Sequence, residues 1–95
     1  MILIFGGTTE GRTAAETLDE AGQPFYYSTR GTLQEVTCRN MTRLTGNMDS
    51  EKIISFCREH EIRLIIDAAH PFAQQLHLNI FLAAKELTIK VVRLE

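Results

Sequence analysis

No stretch of this sequence is apolar over anything near the length of a bilayer span. The opening run, Met1-Ile2-Leu3-Ile4-Phe5, is too short for the apolar core of a signal peptide and has no basic segment before it. These absences make the cytoplasm the expected location and remove the membrane from the expected partners. Cysteine is scarce. Cys38 and Cys57 are too few for a disulfide framework and too far apart for a CxxC redox or zinc motif. Three scattered histidines do not complete a metal site, so no metal is expected and both thiols read as reduced and structural. An excess of positive charge is also missing. The formal net charge of −2 offers no basic footprint for nucleic acid and no polybasic patch for anionic lipid. Repeats, linkers and low-complexity segments are absent. A small-molecule partner is what these exclusions leave.

What is present is the make-up of one small globular domain: 95 residues, 44% hydrophobic and 23% charged. Short apolar runs alternate with longer segments of helical period. Ile2-Leu3-Ile4-Phe5 is continuously apolar, as in a strand buried on both faces. Glu10 to Ala21 carries Ala14, Ala15, Leu18 and Ala21 at helical spacing, and Gly22 stops it. Phe25 to Thr29 reads as a second strand, entered through Pro24 and broken by Arg30-Gly31. Thr32 to Leu44 is the least clear stretch. Val36, Cys38 and Met41 suit short or irregular strand structure, with a weaker strand near Thr42 to Leu44, and Thr45-Gly46-Asn47 is a turn. Asp49 or Ser50 caps a helix from Glu51 to about His60, whose apolar face is Ile53, Ile54, Cys57 and Phe56. Ile62 to Asp67 is another buried strand. Pro71 suits the first turn of a helix whose stripe is Phe72, Leu76, Ile80, Ala83, Ala84 and Leu87. Ile89 to Leu94 is a last strand.

Alternation of strand and helix favours parallel strands joined by right-handed crossovers. The expected fold over residues 1–95 is therefore α/β, a Rossmann-like doubly wound parallel sheet with three αβα layers. Ligands of such sheets sit outside the carboxyl ends of the strands. Those ends are Gly6-Gly7-Thr8, Ser28-Thr29-Arg30, Thr45-Gly46-Asn47 and Asp67-Ala68-Ala69-His70, and the chemically interesting residues all fall there.

Gly6-Gly7-Thr8-Thr9-Glu10-Gly11 joins the first strand to the first helix. Glycine lets backbone approach a ligand, and the N–H groups at the helix start then face an anion. Thr8 and Thr9 add hydroxyl donors. Two named motifs are narrowly missed. The dinucleotide fingerprint GxGxxG is not met, because Gly7 and Gly11 are displaced from its pattern. The P-loop GxxxxGK[ST] is met by Gly6, Gly11 and Thr13 with Arg12 in the lysine position, a poor substitute for a compact point charge. Asp67 is the candidate acid for that alternative, a degenerate P-loop phosphohydrolase; a nucleotide-binding module without catalysis is another.

The end of the second strand discriminates between nicotinamide cofactors. A domain that prefers NADH places an acid there, about 20 residues past the glycines, for the ribose 2′-hydroxyl. This chain has Ser28, Thr29 and Arg30, so NADPH is expected over NADH, with NADH possible. Asp67-Ala68-Ala69-His70-Pro71-Phe72-Ala73 supplies small residues that admit a bulky ligand, and His70 is the candidate proton donor. Asp67 is read as a cap on the following turn, and His60 and His77 as exposed helical residues.

Residues 2–12 together with Asp67 to Ala73 resemble the precorrin-6A reductase family, which includes the cobalt-precorrin-6A reductases of vitamin B12 synthesis. Ser28-Thr29-Arg30-Gly31 and Thr45-Gly46 also look like family positions, and Val92 to Glu95 is similar to the strand before an Arg-Pro in these proteins. The histidine-proline-phenylalanine block is the specific part. The resemblance implies an oxidoreductase that uses a reduced nicotinamide, usually NADPH, to deliver hydride to a tetrapyrrole-derived macrocycle, turning precorrin-6A or its cobalt form into precorrin-6B. The cofactor-binding set is then Gly6, Gly7, Thr8, Thr9, Glu10, Gly11, Arg12, Ser28, Thr29, Arg30, Gly31 and Gly46, and the macrocycle lies near His70, Pro71, Phe72 and Ala73. It further implies that these residues are the cofactor-binding half, with the macrocycle in a cleft against a second α/β domain or subunit.

Overall fold

A computed structural model describes residues 1–32 and 34–95. In chain order the elements are β1 (Ile2–Phe5), α1 (Thr9–Glu20), β2 (Phe25–Thr29), β3 (Met41–Thr45), α2 (Ser50–Glu59), β4 (Leu64–Asp67), α3 (Gln74–Leu87) and β5 (Lys90–Arg93). The strands form one sheet in the order β3-β2-β1-β4-β5, every pair parallel. This is the expected Rossmann-like architecture. β1 is central, and its side chains feed two separate cores. Leu3 and Phe5 pack with Ile53 and Cys57 of α2 and Ile80 and Ala83 of α3. Ile4 packs on the other side with Ala15 of α1 and with Phe25 and Tyr27. That double burial is why β1 reads as a continuous apolar run. Leu3, Ile4, Ile53, Ile65 and Ile80 are fully or almost fully buried, a contribution of about 1.5–3 kcal/mol each before chain entropy is set against it.

Capping fixes the helix starts. Thr8 caps α1 by accepting from the N–H of Gly11, and Asp49 caps α2 by accepting from the N–H of Lys52. The end of α1 is tied to the entry of β3, where Asp19 accepts from the backbone and side-chain amides of Asn40. The backbone bond from Asn40 is the main reason its carboxyl lies below the usual range. Cys57 sits in the core under α2, and burial pushes its thiol up to about 11, in keeping with a structural role.

Three expectations need correction. Val36 and Cys38 form no strand; they pack as irregular chain against the α1-side core. Leu33, inside the stretch that was hardest to read, lies outside the described residues. Pro71 does not open α3, which begins at Gln74. Residues 70–73 instead make a compact turn, with the Ala73 N–H on the His70 carbonyl and the Gln74 N–H on the Phe72 carbonyl. Phe72 consequently leaves the apolar stripe and is 82% exposed. His60 and His77 are not free surface groups: His60 bonds the Tyr26 hydroxyl through Nδ1, and His77 lies against Asp67. Among the described residues, no helix is long and apolar enough to cross a membrane.

Candidate active site

The strand order itself makes a crevice. From β1 the chain moves outward to β2 and β3, then returns to lay β4 on the other side of β1. The loops leaving β1 and β4 therefore diverge, and the gap between them is the place where such sheets bind ligands. Here the gap is a cavity of about 450 Å³, within the size range of small-molecule pockets. Gly6 and Gly7 form one wall, Thr29 to Gly31 and Gln34 a second, and Ala69, His70 and Ala73 the third. Three segments far apart in sequence thus meet at one sheet edge.

The glycines of the first turn have three different reasons. A Cβ on Gly6 would stand 2.2 Å from Cζ and Oη of Tyr27, and one on Gly11 would stand 2.9 Å from the Gly6 Cα. These two glycines let the turn close onto a buried tyrosine and let α1 start against β1. Gly7 meets no such obstacle, but its φ of +98° strains any other residue. The fold alone therefore accounts for Gly6 and Gly11, and the ligand argument rests on Gly7 and on the space in front of it.

Tyr27 and Gln34 hold this turn from below and from the side. The Tyr27 hydroxyl donates to Oε1 of Gln34, and both oxygens accept from the Gly7 N–H at 3.2 Å. Nε2 of Gln34 donates to the Thr8 carbonyl. Burial pushes the Tyr27 phenol up, which keeps its proton on and its donor role intact. Arg43 of β3 lies 5.4 Å from the Tyr27 ring centroid and donates from Nη2 to the Thr29 hydroxyl, while its Nε is buried without a partner among the described residues. Thr29 in turn donates to the Gly31 carbonyl, so Arg43 shapes the wall without reaching the cavity. Arg30 does reach it. Its Nε donates to Oδ1 of Asn47 at 3.0 Å, which aims the guanidinium along the mouth.

Not every expected residue joins this wall. The Thr8 hydroxyl is committed twice, accepting from Gly11 and donating to the Ala68 carbonyl. Thr9 and Glu10 border a different groove of about 460 Å³, between α1 and the ends of β4 and β5, with Ile66 and Leu94 on its far side. Arg12 points outward from α1. Ser28 is buried and its hydroxyl faces the Met48 sulfur at 3.9 Å, because strand alternation turns it to the α2–α3 side. Gly46, at φ +105°, closes the turn after β3 and donates to the carbonyls of Thr29 and Arg30. Thr13, part of the P-loop alternative, donates its hydroxyl to the Thr9 carbonyl and lies on that second groove.

His70 is exposed at the mouth. Its Nδ1 accepts from the Phe72 N–H at 3.2 Å, which places the ring hydrogen on Nε2. Its ring centroid is 5.2 Å from that of Phe72, so an imidazole and an apolar ring stand side by side at the opening. Pro71 and Phe72 flank the cavity rather than line it. Asp67, read from sequence as a cap, does accept from the Ala69 N–H at 3.2 Å. Tyr27, Gln34, Arg43 and His77 were not foreseen as parts of the site. Arg43 of β3 pairs with Tyr27 of β2 only through the strand register, which leaves no local mark in the sequence.

The family model described as precorrin-6x reductase CbiJ/CobK matches residues 1–95. A cobalt-precorrin-6A reductase of Priestia megaterium is 31% identical over 97 residues, covering 100% of this chain and 38% of its own length. A precorrin-6A reductase of Rhodobacter capsulatus is 27% identical, covering 99% and 38%. The solved CobK precorrin-6A reductase is similar to this chain with a TM-score of 0.89 at 25% identity, over 99% of this chain and 38% of its own. A leucoanthocyanidin reductase from Vitis vinifera shares the fold, at a TM-score of 0.75 and 15% identity, over 95% of this chain and 34% of its own. The chain thus spans about 38% of the length of the precorrin-6A reductases it matches.

Proposed function

The chain belongs to the CbiJ/CobK precorrin-6x reductase family, and we propose that it is the part that binds NADPH for reduction of precorrin-6A, or its cobalt form, to precorrin-6B. The observation that carries this reading is the cavity at the reversal of strand order, with Arg30 rather than an acid at the end of β2. Among the described residues, and leaving aside chain neighbours, no atom lies within 4 Å of a Cβ built on Gly7 or on Gly31, so both leave room for a ligand to approach backbone. The residues present therefore fit a dinucleotide. Gly6 and Gly7, with the first N–H groups of α1, hold the pyrophosphate. The Gly7 N–H, which Oε1 of Gln34 accepts from here, would be available to that anion. Arg30, aimed by Asn47, takes the 2′-phosphate, and Thr29 and Gly31 complete that wall.

When bound, the reduced nicotinamide supplies a hydride to an electrophilic carbon of the macrocycle. Ala69 and Ala73 keep the approach clear of bulk, and Phe72 offers an exposed ring to a flat apolar face. His70, with its hydrogen on Nε2, donates a hydrogen bond toward the macrocycle, and water supplies the accompanying proton. The second α/β domain or subunit closes the cleft over the macrocycle.

Calorimetric titration of the chain with NADPH, NADH and ATP tests the reading. NADPH is expected to bind more tightly than NADH, and ATP weakly. Tight ATP binding without NADPH binding would overturn it.

A further inference from the structure

His77 holds a position that neither its sequence context nor the cofactor reading accounts for. It lies in the first turn of α3, and its side chain is only 10% exposed. Nδ1 is 2.6 Å from Oδ2 of Asp67, whose side chain at the end of β4 is 3% exposed. Nε2 is 2.9 Å from the His70 carbonyl oxygen. A carboxylate and a carbonyl both accept, so each ring nitrogen faces an acceptor. The ring therefore bridges the two groups, one on each nitrogen.

The consequence lies in the 67–73 segment. Asp67 binds the Ala69 N–H through its other oxygen, and the His70 carbonyl also receives the Ala73 N–H. The His70 backbone is thus bolted to β4 and to α3 through one imidazole. Ala69, His70 and Ala73 are the third wall of the cavity. We infer that His77 is a positioning residue: backed by Asp67, its ring fixes the His70 carbonyl and so sets where the His70 side chain stands at the mouth. This deepens the functional reading and rests on it, since it supposes that the wall faces a ligand.

Two amides separate the halves of the bridge. The side-chain nitrogen of asparagine reaches about as far as Nδ1, and that of glutamine about as far as Nε2. His77→Asn therefore keeps the Asp67 bond and drops the tether to His70, whereas His77→Gln keeps the tether. Amide hydrogen exchange of the ligand-free chain reads the tether, and the NADPH dissociation constant reads its effect on the site. His77→Asn is expected to speed exchange at Ala69 and Ala73 by about tenfold, the worth of one hydrogen bond, with the later turns of α3 unchanged. It is expected to weaken NADPH severalfold. His77→Gln should stay near the parent in both measurements. Unchanged exchange in His77→Asn, equal damage in His77→Gln, or faster exchange with unaltered NADPH affinity would each overturn the inference. Failure of the parent chain to bind NADPH would instead count against the functional reading, and the exchange data would still decide the tether.

Discussion

Gly6→Ala is expected to destabilise the fold by about 3 kcal/mol or more, because it is an overpacking substitution with no room to relax. The new Cβ would stand 2.2 Å from Cζ and Oη and 2.5 Å from Cε1 of Tyr27. That ring is fully buried on β2, and β2 is hydrogen-bonded on both sides, to β1 and to β3. For a domain of this size, each kcal/mol corresponds to roughly 4–8 °C in Tm, so thermal unfolding should show a loss of more than about 10 °C. Tyr27→Phe should not rescue the variant, because the ring carbons still clash. Tyr27→Leu in the same chain should recover part of the loss. Gly7→Ala is expected to cost less, about 1–2 kcal/mol, since only its positive φ is at stake. Equal effects at the two glycines would contradict the steric account of Gly6.

Arg30→Ala is expected to act on affinity alone. The residue is exposed, and its side chain bonds Asn47 on a neighbouring turn. A charge-assisted bond to a phosphate is worth about 1.5–3 kcal/mol, or roughly 10- to 100-fold in dissociation constant. NADPH should lose affinity by that factor, while NADH, which has no 2′-phosphate, should change by less than about threefold. Arg30→Lys should fall between, keeping the charge but losing the planar fork. Equal losses for the two dinucleotides, measured by calorimetry, would remove the 2′-phosphate from the account.

The architecture was legible because buried parallel strands and capped helices leave strong local marks. Ile2 to Phe5 feeds two cores and so had to be apolar throughout. Asp49 stood three residues before the amide it caps. Where the wall turns on contacts between distant segments, the sequence was mute. Tyr27 looks like any inward aromatic of a strand, yet its hydroxyl and Gln34 set the Gly7 turn. His77 follows a proline at helical spacing from several apolar residues, and nothing local told that Asp67 waits ten positions earlier. Pro71 misled for a related reason. Proline suits the first turn of a helix, but here the His70 ring and carbonyl capture the next amides and delay α3 to Gln74. The Rossmann-like fold positions a cavity from Gly6 to Ala73, and the expected cofactor residues that lie off its wall, Thr8, Thr9, Glu10, Gly11, Arg12, Ser28 and Gly46, mostly serve the turns that hold it.

The central claim is that NADPH occupies the cavity between the ends of β1, β2 and β4. Backbone amide resonances recorded during an NADPH titration test it most directly. The account predicts that the largest shifts fall on Gly6, Gly7, Arg30, Gly31, Ala69 and His70, with the Gln34 side-chain amide moving as it leaves the Gly7 N–H. Shifts confined to Thr13, Leu18, Ile66 and Leu94 would place the ligand in the groove beside α1 and contradict it.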